Sequence, residues 1–145
     1  CAKVLSAIAI NAAEFGEPFA PPLALFSSGE MLVTVDKADG VGGRNQEFVL
    51  ACALQIAGNE RIVIGSVDSD GTDGAGGLDI PSAPDCLGGG LVDGFTAGQA
   101  KEMGIDIYQA LADHGTSEPL WRLNSGIHMG QNISLNDLTV LLITG

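Results

Sequence analysis

The chain has 145 residues, 46% hydrophobic and 17% charged, with 6 Lys and Arg against 18 Asp and Glu for a formal net charge of -12. That length suits one compact domain around a single core, and the acidic balance excludes the basic footprint of a nucleic-acid binder and disfavours anionic membrane surfaces. The apolar content is too high for a disordered acidic chain, and no apolar run reaches the length of a membrane span.

Residues 2–15 are Ala-rich with apolar residues at helical intervals, and Gly16 followed by Pro18, Pro21 and Pro22 ends the run. A helix and a Pro-rich connector are expected there. Residues 23–27 (LALFS) and 31–35 (MLVTV) are short strand candidates separated by the turn-like Ser28-Gly29-Glu30. After a Gly-rich loop at 39–43, the run RNQEFVLACALQIAG carries Phe48, Cys52 and Ile56 on one stripe and Leu50 and Leu54 on another, as in a helix packed on more than one side. Residues 61–67 (RIVIGSV) have the β-branched density of a buried strand, parallel if the preceding helix is a crossover. Residues 68–90 form a long loop crowded with Gly and Asp, a composition that favours function over mere connection. Residues 91–94 read as a short extended segment or helix lead-in. Three short helices follow at 95–104, 106–115 and 117–123, with Tyr108 and Trp121 as core or helix-interface aromatics. An apolar strand at 138–144 is placed centrally in the sheet. The order strand, helix, strand implies an α/β layer architecture.

Cys1, Cys52 and Cys86 are odd in number, widely spaced and without a CxxC pair, so neither a disulfide framework nor a zinc site is expected and a reducing, cytoplasmic setting fits. His114 and His128 have no second ligand at helical spacing and read as structural or surface residues. Asn132-Ile133-Ser134 matches a glycosylation acceptor, which in a cytoplasmic chain is chance. No phosphate-binding GxxxxGK[ST] loop, dinucleotide GxGxxG or GxSxG elbow is present.

Two motifs carry chemistry. In Gly42-Gly43-Arg44-Asn45-Gln46-Glu47 a Gly pair feeds a helix N-terminus, where free N–H groups and the dipole suit an anion and Arg44 can add bidentate contacts. The plain alternative is a capped helix with Asn45 as cap and Glu47 in the first turn. Asp68-Ser69-Asp70-Gly71-Thr72-Asp73-Gly74 follows the best strand, and its carboxylates could hold Mg²⁺ or position a substrate hydroxyl. Against the calcium-loop template its Gly falls one place late, and its alternative is an acidic surface loop of Asx turns. Glu30 adds a carboxylate in a bare turn.

Taken in order, SSGE at 27–30, GGRNQEF at 42–48, SDGTDG at 69–74, GGLVDG at 89–94 and NDL at 136–138 make the chain resemble the MOFRL domain, the C-terminal domain of the glycerate 2-kinase family, some of whose members carry the older label hydroxypyruvate reductase. The likeness runs from about Leu23 to the C-terminus. It implies a three-layer α/β/α sandwich with a mixed β-sheet, residues 1–145 being one such domain and a C-terminal fragment of a longer two-domain enzyme, with a larger Rossmann-like domain on its N-terminal side. Such enzymes transfer the γ-phosphoryl of ATP, with Mg²⁺, to the 2-hydroxyl of D-glycerate between the two domains. On this resemblance Arg44, Asn45, Glu47 and Glu30 bind substrate or phosphate, Asp70 and Asp73 are catalytic, and Asp68, Asp70 and Asp73 hold metal. The isolated domain is expected to be inactive, and a homodimer through an apolar face left bare is a further expectation. The chain departs from the family at Ser28, where a second Gly is usual, in the loop HMGQNIS, which lacks the family's Gly and Thr residues, and in an insertion at 79–86. No phosphate role is therefore carried onto residues 131–134. The rival readings are a hydroxypyruvate reductase, against which the missing dinucleotide fingerprint argues, and a non-catalytic domain that binds a cation or a partner.

Overall fold

Strict alternation of side chains organises the fold around a five-stranded sheet. The structure is a computed structural model describing residues 1–35, 39–131 and 133–145, so Asn132, the asparagine of the glycosylation-like motif, falls outside the described residues. Helix α1 (Ala2–Phe15) ends at Gly16, whose left-handed φ of 71° closes the helix. Strand β1 (Leu23–Gly29) follows, then α2 (Arg44–Gln55), β2 (Ile62–Asp68), β3 (Gly89–Asp93), α3 (Thr96–Glu102), α4 (Ile107–Ala112), α5 (Ser117–Arg122), β4 (Gly126–Ile127) and β5 (Asp137–Ile143). The sheet order is β1-β5-β2-β3-β4.

The α/β class holds, but every strand pairing is antiparallel rather than mixed. The reason lies in the last strand. β1 and β2 each run antiparallel to β5 and hence parallel to one another, with α2 as the crossover between them. The expected strand–helix–strand unit is present, and β5 has entered its middle. β5 is thus interior, as its apolar sequence requires.

On the inner face Ile62, Ile64, Leu141, Ile143 and Val92 are buried against α1 and α2, which contribute Ala9, Val49, Leu50, Cys52 and Ile56. Burial pushes the Cys52 thiol up to about 11, so it is a packing group rather than a nucleophile. Helices α3, α4 and α5 pack against α2 on this same side. The described helices therefore form one layer where the three-layer sandwich expected from the resemblance has two.

Two sequence expectations fail locally. Residues 31–35 are not a strand: the Met31 N–H is taken by the Asp137 carboxylate at 2.8 Å, and Leu32 and Val35 project into solvent. Tyr108 is exposed instead of packed, whereas Trp121 does lie against the core.

Candidate functional site

The register of the sheet builds the site. Asp68 at the end of β2 pairs directly with Asp137 at the start of β5, so two carboxylates face each other at one end of the sheet. Both are almost fully buried. Arg44, the first residue of α2, lies over them: Nε donates to the Asp137 carboxylate at 3.0 and 2.9 Å, and Nη2 donates to Asp68 Oδ2 at 2.8 Å. Nη1 is 4.0 Å from exposed Glu30, too far for a hydrogen bond. The Asp137 hydrogen bond and the surrounding carboxylates raise the Arg44 pKa against its partial burial. At Asp137, burial pushes the pKa up, but donation from Arg44, Asn45 and the Met31 N–H more than offsets it and leaves the carboxyl below its ordinary value.

Behind Arg44 lies a buried polar network. Asn45 Nδ2 donates to Asp137 at 2.8 Å and to Asp73 at 3.1 Å, while its Oδ1 accepts from Ser66 at 2.6 Å. Because the Ser66 hydroxyl spends its proton on Asn45, it accepts from Thr139 across the β2–β5 pair at 2.7 Å. Asp73 reaches back 28 residues to cap α2, accepting from the Asn45 N–H at 3.1 Å and the Gln46 N–H at 2.9 Å. The N-cap residue itself is Gly43, with no side-chain cap of its own, so Asn45 is not the cap that local sequence suggested. The chain's own carboxylate occupies the helix N-terminus read from sequence as an anion site. Burial nevertheless raises the Asp73 pKa. Gly43 and Gly74 are required by this contact: a Cβ on either would overlap the backbone of the other loop, and Gly74 also has a left-handed φ of 100°.

The three loop aspartates do not converge. Asp68 is held by Arg44 and Asp73 by α2. Asp70 closes an Asx turn, with its Oδ1 accepting from the Thr72 N–H at 2.9 Å and hydroxyl at 2.8 Å. Those Thr72 bonds lower the Asp70 pKa, with a smaller contribution from Arg44. Among the described residues no three His, Cys, Asp or Glu side chains gather as a metal site. The donor set therefore does not fit a Mg²⁺ ion held by Asp68, Asp70 and Asp73 together, because two of the three carboxylates are turned inward to structural partners.

Outside the network a cleft of about 400 Å³ is walled by Met31, Leu32 and Val33 on one side, Gly42, Gly43 and Gly74 on another, and Arg44, Glu47 and His114 on its polar side. His114, read from sequence as a structural or surface residue, binds Glu47 Oε1 through Nδ1 at 2.7 Å. An ionised carboxylate only accepts, so Nδ1 carries the proton in that pair. His114 sits at the end of α4 with a left-handed φ of 55°, uncommon for a residue with a side chain. Asp137 was visible only as part of the NDL motif and His114 only as an isolated histidine; no spacing links either to Arg44, which lies 93 residues before Asp137.

The MOFRL family model matches residues 23–136. This chain belongs to the MOFRL family. It is similar to a glycerate 2-kinase of Pyrococcus horikoshii, 33% identical over 141 residues that make up 97% of this chain and 30% of that protein. A D-glycerate 2-kinase of Thermotoga maritima is 38% identical over 127 residues, 87% of this chain and 28% of that protein. A putative hydroxypyruvate reductase of Agrobacterium vitis is 29% identical over 143 residues, 97% of this chain and 31% of that protein. The crystal structure of a Thermotoga maritima glycerate kinase superposes with a TM-score of 0.87 at 34% identity, covering 99% of this MOFRL chain and 32% of that chain. The chain thus spans about a third or less of the length of these relatives.

Proposed function

We propose that this MOFRL chain forms one wall of the cleft in which a longer, two-domain glycerate 2-kinase moves the γ-phosphoryl of ATP onto the 2-hydroxyl of D-glycerate. The observation that carries the reading is Arg44. Two of its nitrogens are spent on Asp68 and Asp137, which fix the guanidinium at the cleft and leave Nη1 as a preorganised donor for an incoming anion. An arginine held this way loses little conformational freedom when substrate arrives. The relatives named as glycerate 2-kinases support the choice of reaction.

Electrostatics then divide the labour. Among the described residues Arg44 is the cleft's one fixed cation, and the carboxylates of Asp68 and Asp137 already outweigh its single positive charge. A triphosphate carries far more negative charge than this wall can offset, so most of its binding groups belong to the part of the enzyme outside these residues. This wall is suited to the acid: Arg44 Nη1 takes the glycerate carboxylate or the phosphoryl group in transit. Asp70, whose Oδ2 has no partner among the described residues, orients the acceptor hydroxyl. Asn45 and Asp73 act indirectly by holding α2 and Arg44, and Glu47 orients His114 at the cleft. Magnesium enters with the nucleotide as substrate, and no step is assigned to an ion on this chain.

The test is ATP-dependent phosphorylation of D-glycerate by the enzyme at the length of its relatives. Arg44→Gln should lower kcat/KM by about 100-fold, the order expected for one transition-state donor, and the 145-residue chain alone should be silent. Reduction of hydroxypyruvate by NADH without glycerate phosphorylation would replace this reading with the reductase one.

A further inference from the structure

The cleft holds a second polar pair that the Arg44 cluster does not use. Among the described side chains that line it, only Arg44 and His114 carry N–H donors; the others are apolar, glycine or the Glu47 carboxylate. His114 Nδ1 donates to Glu47 Oε1 at 2.7 Å, and no described residue bonds Nε2 on the other side of the ring, which is 20% exposed. Arg44 and Glu47 stand one turn apart on α2, so the guanidinium and the ring that Glu47 holds face the same cleft.

The backbone keeps the ring there in an unfavourable conformation. His114 takes the left-handed φ of 55°, although a glycine, the residue that adopts it freely, stands one place later at Gly115. Two glycines ahead of α2 close on this turn. A Cβ on Gly40 would overlap the backbone of Asp113, His114 and Gly115, and one on Gly42 would overlap the His114 carbonyl and the Thr116 hydroxyl. An uncommon conformation held by tight packing beside a cleft is the pattern of a functional side chain.

Charge selects the ligand. The carboxylates of Asp68 and Asp137 outweigh Arg44, so this wall repels a multiply charged phosphate and suits an anion of one charge, provided that a second positive donor joins Arg44. The tautomer says how that donor arises. With the Nδ1 proton committed to Glu47, a neutral ring shows an anion the Nε2 lone pair, whereas a protonated ring shows it an N–H. The other charged groups about the ring are Arg44 on α2, Asp113 at the end of its own helix, where it accepts from Gln109, and Asp39 ahead of the Gly40 turn; Glu118 of α5 faces Arg122. We infer that Arg44 Nη1 and His114 Nε2 form a two-pronged clamp for the carboxylate of the small acid substrate, closed by a proton that His114 takes from solvent as the acid binds. Protonated, the ring has Glu47 on one side and the substrate carboxylate on the other. The inference rests on the preceding reading for the identity of the acid, glycerate.

The test is calorimetric titration of the enzyme at full length with D-glycerate, without nucleotide, in two buffers of different ionisation heat. The acid stays ionised from about pH 6 to about pH 8, where histidine is the side chain that ordinarily changes charge. Binding should therefore take up protons, and by linkage it should weaken about tenfold across that range. His114→Asn removes the Nε2 prong alone: its amide donates to Glu47 in place of Nδ1, and asparagine accepts the left-handed backbone. At about pH 6 it should bind glycerate about tenfold more weakly, with the pH dependence gone. In turnover the loss should fall on KM for glycerate and not on KM for ATP. The parent's proton uptake needs no variant. Glycerate binding without proton uptake, a His114→Asn enzyme that keeps the parent's pH dependence, or a loss that falls on ATP would each overturn the clamp. Proton-linked binding without phosphorylation would sink the reaction alone, phosphorylation with pH-independent glycerate binding would sink the clamp alone, and failure to bind glycerate would overturn both.

Discussion

The Arg44 cluster and the outer face of the sheet are opposite anomalies on one scaffold. One buries ions and amides where side chains are expected to be apolar, and the other exposes Leu and Val where they are expected to be polar. Apart from Arg44 Nη1 the cluster is closed within the chain, with Arg44, Asn45, Asp68, Asp73 and Asp137 joined by hydrogen bonds to one another. The outer face has no such closure. A buried polar group is tolerated when hydrogen-bonded within the chain, but an exposed apolar surface is resolved only by something that covers it.

Neighbouring residues on β5 give the sharpest test of that contrast. Leu141→Ala on the inner face should cost about 4 kcal/mol in urea unfolding, as for a fully buried leucine. Next in size is Arg44→Ala, at about 3 kcal/mol, because it leaves two buried carboxylates facing each other without a cation. A loss under about 1 kcal/mol would mean that the cluster does not support the fold. Asp73→Ala should cost about 2 kcal/mol by uncapping α2. Asp73→Asn, which keeps an acceptor and removes a charge that burial disfavours, should cost clearly less.

Asp137→Asn should cost about 1 kcal/mol near neutral pH. The folded carboxyl titrates below its ordinary value, so its contribution is present above about pH 4 and is lost as pH falls through the folded value. Stability curves of parent and variant should therefore converge in acid, and curves that stay parallel would contradict the assigned ion pair. At the small end, Leu142→Ala in the 145-residue chain should cost under about 0.5 kcal/mol, the scale of a surface change. Asp70→Ala should leave the melting temperature unchanged.

Much of this fold was legible in the sequence for local reasons. The apolar spacing of α1 and α2, the β-branched density of β2 and the glycine that ends α1 each act within a few residues. The strand expected at 31–35 failed because propensity says nothing about a partner, and the Met31 N–H found a carboxylate from 106 positions away. The mixed sheet failed similarly: a strand–helix–strand unit is readable locally, but the entry of β5 between its strands is not. At the site, Arg44 was readable as a scarce arginine beside a Gly pair.

The sequence by itself determined that the chain is acidic and α/β, that its family motifs cluster around α2 and the loop after β2, and that an arginine stands at the helix start. Only the tertiary structure decided what the aspartates do. Spacing places Asp68, Asp70 and Asp73 within six residues, but each carboxylate points to whichever donor the fold brings to it: the Arg44 guanidinium, a threonine in its own turn, or the N–H groups of a distant helix. A carboxylate's role is set by its donors and its burial, and both are long-range properties of the packed chain.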